Sequence, residues 1–405
     1  MIRQAVMAAI VVSGMGLGAP GALADPSAEA EAALEKCLAE KRGCTRLRLS
    51  NIKELTEIPA SVVQVRSIKE LDLSRLSIAD LGPLAEMPWL TDVNLGRAET
   101  SNLDFLGRLP VLAKLNLAHT EADLSPLGET RAVRSLNLSN AKTANYEPIG
   151  KLVVLNELDL SRSTVQDIGF VSGLNALQQL DLGKTKVSDL TPLSGLYALE
   201  QLDLDDSEVT DLTPLSGLPV LDKLDITGTA VADLGPVASL SNLTELRIDG
   251  ESITDLAPLS GLLRLDRIEI SRSGVTDLTP LAPIASLREL KIWKSPISDL
   301  TPLSKLTGLR HLNLSKAAAP AEGQETLKAL VNLNYLALQN TAVADLGIVS
   351  GMSGLKTLNL RGSAVGSLAP LLALAELKTL ELHDATGYDE ADVEKLEAKG
   401  VKVKR

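Results

Sequence analysis

Aromatic side chains are nearly missing from this 405-residue chain: two Phe, four Tyr and two Trp, 2 % of the whole. So few rings set it apart from an ordinary enzyme core. Cysteine is limited to Cys37 and Cys44, too few for a disulfide-rich fold or a cysteine zinc site. Histidine is limited to His119, His311 and His383, far apart in the chain. Positive charge is the minority, with 40 Lys and Arg against 52 Asp and Glu and a net charge of -12. That balance argues against a general nucleic-acid coat or a polybasic membrane binder. Beyond the N-terminal segment no window reaches eighteen apolar residues, so no membrane-spanning helix is indicated. At 45 % hydrophobic, the chain is nevertheless too apolar for an acidic disordered polymer. Leucine makes up the difference, with 79 residues, a fifth of the chain.

Residues 1–24 read as an export signal. Arg3 gives a positive start, an apolar run follows from Ala5 to Val12, and Ala22-Leu23-Ala24 offers a small-residue cleavage site before Asp25. The chain is thus expected to be periplasmic or secreted, with a membrane anchor the alternative reading of the same run. Export would permit a Cys37–Cys44 disulfide, a staple seven residues across, with free thiols as the alternative. The spacing does not fit a redox motif. Residues 25–46 read as an N-terminal cap: Ala30, Ala33, Leu34, Cys37, Leu38 and Lys41 follow a helical period over 27–42, and Gly43 stops it.

From Leu47 onward the sequence repeats. Apolar-x-apolar pairs begin at Leu47, Leu71, Val93, Leu115, Leu136, Leu158, Leu180 and Leu202, then at Leu224, Leu246, Ile268, Leu290, Leu312, Leu336, Leu358 and Leu380. Most intervals are 22 residues. Each unit adds a second block, such as Val187-Ser-Asp-Leu-Thr-Pro-Leu193. Proline cannot sit inside a parallel ladder but suits the first turn of a short helix, where the preceding Asp189 can satisfy a free N–H. Each unit therefore reads as a strand, a turn, a short 3₁₀-like segment and a return. No unit has a core of its own; stacking makes a continuous leucine ladder.

Repeated DLTPLSGL, at 189–196 and 211–218, and the L-x-x-L-x-L spacing resemble the leucine-rich repeat family, in the 22-residue form of bacterial internalins. The resemblance covers about 47–403. It implies an α/β solenoid, an arc with parallel strands on its concave face and short 3₁₀ or helical segments on its convex face. It also implies protein binding on the concave face. No LPxTG-type sorting signal and no appended immunoglobulin-like module accompany the repeats. Where many relatives carry an Asn ladder, this chain has Thr185, Ser207, Thr229, Ser273 and Ser295, whose hydroxyls are expected to satisfy the turn. The solenoid is expected over 47–383, with sixteen strands spanning roughly 70–80 Å. A C-terminal cap follows over 384–405: a helix from Asp389 to Lys399, a stop at Gly400, and an edge strand Val401–Val403. The 24-residue unit at 312–335 reads as carrying a longer convex helix from Glu322 to Leu330.

Function is sought on the outward strand positions. Asp159, Asp181, Asp203 and Asp225 form a row one strand spacing apart, thickened by Asp205, Asp206 and Asp249. Nothing in the repeat pattern demands that row. It reads as a solvated acidic face, a surface for a basic protein, or a calcium site without an ordering loop motif. Further along, Arg247, Arg267, Lys291, Trp293, Lys294, His311 and Tyr335 read as a basic, aromatic sector. Trp293 stands where the core cannot take it, making it a candidate anchor, with packing against its own lysines as the plainer alternative. Trp89, Phe105 and Phe170 read as core.

Tests for catalysis fail in the sequence. Gly183-Lys184-Thr185 imitates a phosphate loop, but Gln178 stands where a glycine is required. G-x-S-x-G and H-E-x-x-H are absent, and a carboxylate pair such as Asp203 and Asp225 is unspecific where acidic or amide groups recur along the outward strand positions. No catalytic residue, metal or cofactor is assigned. The expected role is an exported, non-catalytic binding module for a protein ligand. A saccharide or envelope polymer, and a structural envelope role without a ligand, are the alternatives.

Overall fold

The computed structural model describes residues 25–40, 43–100, 102–317 and 323–405. The expected signal segment, Lys41 and Glu322 lie outside the described residues.

The chain divides into two compact units, residues 1–165 and 166–405. In the first, helix α1 (Pro26–Leu38) begins at Asp25, whose carboxylate accepts from the Ser27 N–H, and it buries Ala30, Leu34 and Cys37. Strands β1 (Arg46–Arg48), β2 (Glu70–Asp72), β3 (Asp92–Asn94), β4 (Lys114–Asn116), β5 (Ser135–Asn137) and β6 (Glu157–Asp159) follow. Each pairs with the next in parallel register. Cys37 and Cys44 form the expected disulfide, which joins the end of α1 to the approach to β1.

The second unit continues the same repeat. Its strands are β7 (Gln179–Asp181), β8 (Gln201–Asp203), β9 (Lys223–Ile226), β10 (Glu245–Asp249), β11 (Arg267–Ser271) and β12 (Glu289–Trp293). They are followed by β13 (His311–Asn313), β14 (Tyr335–Ala337), β15 (Thr357–Asn359), β16 (Thr379–Glu381) and β17 (Lys402–Lys404). All run parallel, each paired with its sequence neighbour within the unit. Between α1 and the last helix, α3 (Glu390–Ala398), the connections among the described residues carry 3₁₀ turns in fourteen places; an α-helical turn, α2 (Ala60–Val63), takes that place after β1. The fold is a leucine-rich repeat solenoid.

One turn shows why the repeat holds. Leu180, Leu182, Val187, Leu190, Leu193, Leu196 and Leu199 all point inward and are at most 2 % exposed. Burying each leucine is worth about 2 kcal/mol, and stacked repeats share such a core because no unit has one of its own. The 3₁₀ turns are capped as the Asp–Leu–Thr–Pro motif requires: Asp189, Asp211, Asp277 and Asp299 each accept the backbone N–H two residues on, at 2.8 Å. Hydrogen bonds from the following threonine, side chain and backbone, hold these four carboxyls below the usual range.

Buried hydroxyls do replace an Asn ladder. Thr185 donates to the Leu182 carbonyl at 2.6 Å, Thr229 to Ile226 at 2.7 Å, and Ser273 and Ser295 share a bond at 2.8 Å. Ser207 departs from the pattern, its buried Oγ having no partner.

The sequence pattern did not reveal a left-handed residue in nearly every repeat, three positions after the outward mid-strand residue. Arg75, Arg97, His119, Asn140, Arg162, Lys184, Asp206, Arg272, Lys294, Lys316, Asn340 and Asp384 occupy it with φ between 46° and 66°. Such a backbone costs roughly 1 kcal/mol for a residue with a Cβ. The conformation aims the N–H at the next repeat, as in the bonds from Arg97 to the Ala118 carbonyl and from Lys184 to that of Asp205.

Two expectations need correction. The expected helix from Glu322 to Leu330 is a 3₁₀ turn, Gln324–Ala329, begun by left-handed Gly323, with Thr326 Oγ1 bonded back to the Gly323 carbonyl. The closing strand is Lys402–Lys404, with Val403 rather than Val401 opposite Leu380. Gly400 is left-handed after α3, and the Val401 N–H returns to the Leu396 carbonyl, so the strand starts one residue late.

The hydroxyls yield a paired prediction. Thr185→Val keeps the shape and removes a buried donor, and should cost about 1 kcal/mol. Ser207→Ala removes a buried polar atom that bonds to nothing, and should be neutral or stabilising by up to about 1 kcal/mol. Urea denaturation midpoints of the two variants check the ranking; the opposite order would refute it.

Candidate functional site

The outward mid-strand residue decides what the chain does next. Where it is Asp or Asn, its side-chain oxygen accepts the backbone N–H two residues on, and the strand ends there or one residue later. Asp72, Asn94, Asn116, Asn137 and Asp159 do this in the first unit, at 2.9–3.0 Å. Asp181, Asp203, Asp225, Asn313 and Asn359 do it in the second, each at 2.9 Å. The acidic row is therefore not free of structural duty, which corrects the sequence reading. Its carboxylates are turn caps, a duty they share with the asparagines of other repeats.

At β10, β11 and β12 the mid-strand residues are Arg247, Glu269 and Lys291, which do not form that cap. The strands run two residues further, and β-branched Ile248, Ile270 and Ile292 replace the second leucine in register. The extension adds a third outward position, filled by Asp249, Ser271 and Trp293.

Charge on this broader face is already balanced. Arg247 bonds Asp225 at 2.6 Å and lies 3.6 Å from Glu269. Arg267 reaches Glu245 at 3.5 Å and Glu289 at 3.0 Å; Lys291 reaches Glu269 at 3.6 Å and Glu289 at 2.8 Å. His311 lies 3.7 Å from Glu289. The sector expected to be basic is instead a lattice of alternating charge. Strand register causes this, since a charge at one position faces its opposite one strand away. Burial works against the Lys291 charge, but Glu289 and Glu269 outweigh it and raise its pKa. Burial likewise opposes the Glu289 carboxylate, and Lys291 and Arg267 hold it below the usual range.

Asp205, Asp206 and Asp249 do not thicken the row into a free acidic patch, and Lys184 also lies 3.2 Å from Asp206. Lys184 pairs with Asp205, Arg247 with Asp225, and Arg272 clamps nearly buried Asp249. Asp203 makes no ion pair among the described residues. Burial, followed by the carboxylates of Asp225, Asp181 and Asp205, pushes its pKa up to about 6.

The aromatic residues separate by role. Trp293 is half-buried at the end of β12, with Lys294 Nζ 4.5 Å and Lys316 Nζ 5.8 Å from its ring centroid. Tyr335 is half-buried and meets exposed His311 edge-on at 6.0 Å. Burial raises the Tyr335 phenol above its usual range. Phe105 and Phe170 are core, as expected. Trp89 is only half-buried, under the Arg66 guanidinium at 5.7 Å, and its buried indole N–H has no partner. Lys316, Glu245 and Glu289 were missed in the sequence; the left-handed position and the first residue of each strand are the signals that locate them.

The first unit carries a separate shallow groove of about 420 Å³ on its strand face, where Arg46, Arg48 and Lys114 face Glu70, Asp72 and Asp92. Among the described residues no cluster of His, Cys, Asp or Glu is arranged to hold a metal ion, and no helix is long and apolar enough to cross a membrane.

No protein-family model matches the sequence, and no curated protein matches it either. Solved structures do match in fold. A leucine-rich repeat protein of Leptospira interrogans aligns with a TM-score of 0.73 at 20 % identity, over 87 % of this chain and 93 % of that one. The internalin InlF of Listeria monocytogenes aligns at 0.59 and 22 % identity, over 95 % and 98 %. The ectodomain of the Arabidopsis thaliana receptor kinase GASSHO1/SCHENGEN3, solved with Casparian strip integrity factor 2, aligns at 0.61 and 20 % identity, over 84 % of this chain and 43 % of that one.

The state of Asp203 is measurable. Its folded value lies above the ordinary 3.8, so the native chain holds the proton more tightly than the unfolded one. Stability from this group is full below about pH 4 and is lost as the pH rises through 6. Asp203→Asn keeps the oxygen that caps the turn and removes the charge. It should stabilise the protein by roughly 1–2 kcal/mol at pH 7.5, allowing for solvent screening, with the gain vanishing near pH 4. Thermal melts at the two pH values read this directly; a pH-independent gain would assign the effect elsewhere.

Proposed function

We propose that this chain is an exported, non-catalytic binding module that takes a protein ligand on the strand face of its second unit, anchored at Trp293 and Tyr335. One observation carries the reading. In a chain with eight aromatic residues, Trp293 and Tyr335 stand half-exposed on outward strand positions where the leucine core makes no use of them. Both ride on strands fixed by register and ringed by ion pairs that already satisfy one another, which suits a preorganised anchor. The face is open, and its carboxylates are committed to turn caps or ion pairs, an arrangement that favours recognition over chemistry. Protein binding is consistent with the complexed plant ectodomain of the same fold. Export is supported by the N-terminal sequence pattern and by the disulfide, which belongs in an oxidising compartment.

Capture from a native envelope extract tests the proposal. Wild-type protein should retain a specific polypeptide, and Trp293→Ala and Tyr335→Ala should each weaken retention by roughly tenfold or more at unchanged melting temperature, as hot-spot truncations do. Undiminished retention by both variants would remove the site. Retention that survives protease treatment of the extract would replace the protein ligand with an envelope polymer.

A further inference from the structure

The left-handed position of the repeat shows what the Trp293 ledge lacks. Among the described residues of the second unit, four cations take that position: Lys184, Arg272, Lys294 and Lys316. The fold gives two of them a carboxylate. Lys184 pairs with Asp205 and lies 3.2 Å from Asp206, and Arg272 Nε is 3.0 Å from each oxygen of Asp249. Lys294 and Lys316 are exposed, flank the Trp293 ring and make no ion pair among the described residues. Register explains the difference. Asp249, Ser271 and Trp293 stand side by side at the third outward position of β10, β11 and β12. Arg272 reaches back one repeat to the first of them. The equivalent residue is Ser271 for Lys294 and Trp293 for Lys316, so neither ammonium group meets a carboxylate there.

Given the proposed strand-face site, on which this reading rests, we infer that the occupant is an acidic peptide segment that sets a side-chain carboxylate over Ser271 and Trp293, shared by the Lys294 and Lys316 ammonium groups. Both ammonium groups lie against one ring, at 4.5 and 5.8 Å from its centroid. Like charges so placed repel, and a carboxylate set against both relieves that repulsion. Serine at 271 is shorter than aspartate, and its hydroxyl can donate to the incoming oxygen. The half-exposed Trp293 ring takes an apolar neighbour of the acidic residue. Arg247, Arg267, Lys291 and His311 are matched to carboxylates and add little net attraction. Two unmatched cations suit one or two carboxylates. A long polyanion such as nucleic acid needs a continued row of cations, and this chain carries a net charge of -12.

Blocked nonapeptides provide the test: one with a central Glu-Leu-Glu, its isosteric Gln-Leu-Gln counterpart and a Lys-Leu-Lys form, all flanked by Gly and Ser. Binding is read from Trp293 fluorescence in a Trp89→Phe background of unchanged melting temperature. The acidic peptide should bind roughly tenfold or more tightly than the amide one, and the preference should shrink with added salt. The substitutions copy residues that other repeats hold at the same position. Lys294→Asn with Lys316→Asn follows Asn140 and Asn340 and should abolish the preference; Lys294→Asp with Lys316→Asp follows Asp206 and Asp384 and should turn it toward the lysine peptide. Ser271→Asp follows Asp249 and should supply the carboxylate from within the chain, lowering the preference by about threefold or more. Lys186→Asn with Lys305→Asn, at exposed positions, changes the net charge equally and should leave the preference intact. Equal binding of the acidic and amide peptides, or no response to the acidic one up to millimolar concentration, would overturn the inference. So would a preference that follows net charge alone, or tighter binding of single-stranded DNA than of the acidic peptide. In each case, envelope capture that still depends on Trp293 and Tyr335 leaves the strand-face site standing, and capture indifferent to both removes it.

Discussion

A single hydrogen bond sets the local geometry of most repeats: the one from a backbone N–H to the side-chain oxygen two residues before it, at the outward middle of each short strand. A solenoid one leucine deep has no slack. After three residues of strand the chain must turn, and each N–H freed from the ladder needs an acceptor. Asp203 and its counterparts supply one at 2.9 Å. A left-handed residue then follows and sends its own N–H to the next repeat, as Lys184 does to Asp205. Local strain is offset by contact between repeats, and the leucines enter the core in step.

The departures from that bond create the surface of interest. Arg247, Glu269 and Lys291 do not cap, so β10 to β12 keep their ladder for two further residues. Isoleucine takes the place of the second inward leucine, because branching at Cβ suits a strand that does not turn. Outward, register then aligns side chains of opposite sign at every step, and the salt-bridge lattice follows from the order of charges. These pairs are partly exposed and individually worth little. Their consequence is selectivity: they cancel one another and leave the potential of this face to the few groups without partners.

Much of this was legible in the sequence. The spacing of leucines located all sixteen repeat strands, because the inward periodicity leaves no other register in which a core can form. The 3₁₀ caps were legible as well, since proline after aspartate has few places to stand. The role of the acidic row was not. Asp181, Asp203 and Asp225 look like a functional stripe when only side-chain alternation is considered; their turn-capping role depends on where the strand stops, which is a backbone fact. The charge lattice was missed for a related reason. Arg267 and Lys291 read as a basic patch along the chain, whereas Glu245 and Glu289 become their neighbours only through lateral pairing 22 residues apart. A sharper reading was available in the change of the second leucine to isoleucine at 226, 248, 270 and 292, which marks the strands longer than three residues.

The position of Trp293 joins these rules. Strand extension delivers it to the third outward position, one residue before the left-handed site. Lys294 occupies that site and Lys316 occupies its equivalent in the next repeat, and both ammonium groups come within 6 Å of the ring. Packing under two lysines and readiness for a ligand are not competing explanations of this arrangement. Cation–π contact holds the indole in a defined orientation at little cost, because the ring stays half-exposed and the ammonium groups keep their solvent-facing hydrogens. A carboxylate arriving from a partner can pair with those ammonium groups without displacing an ion pair among the described residues. The stacking that accounts for Trp293 structurally is therefore also what makes it a rigid, positively edged platform.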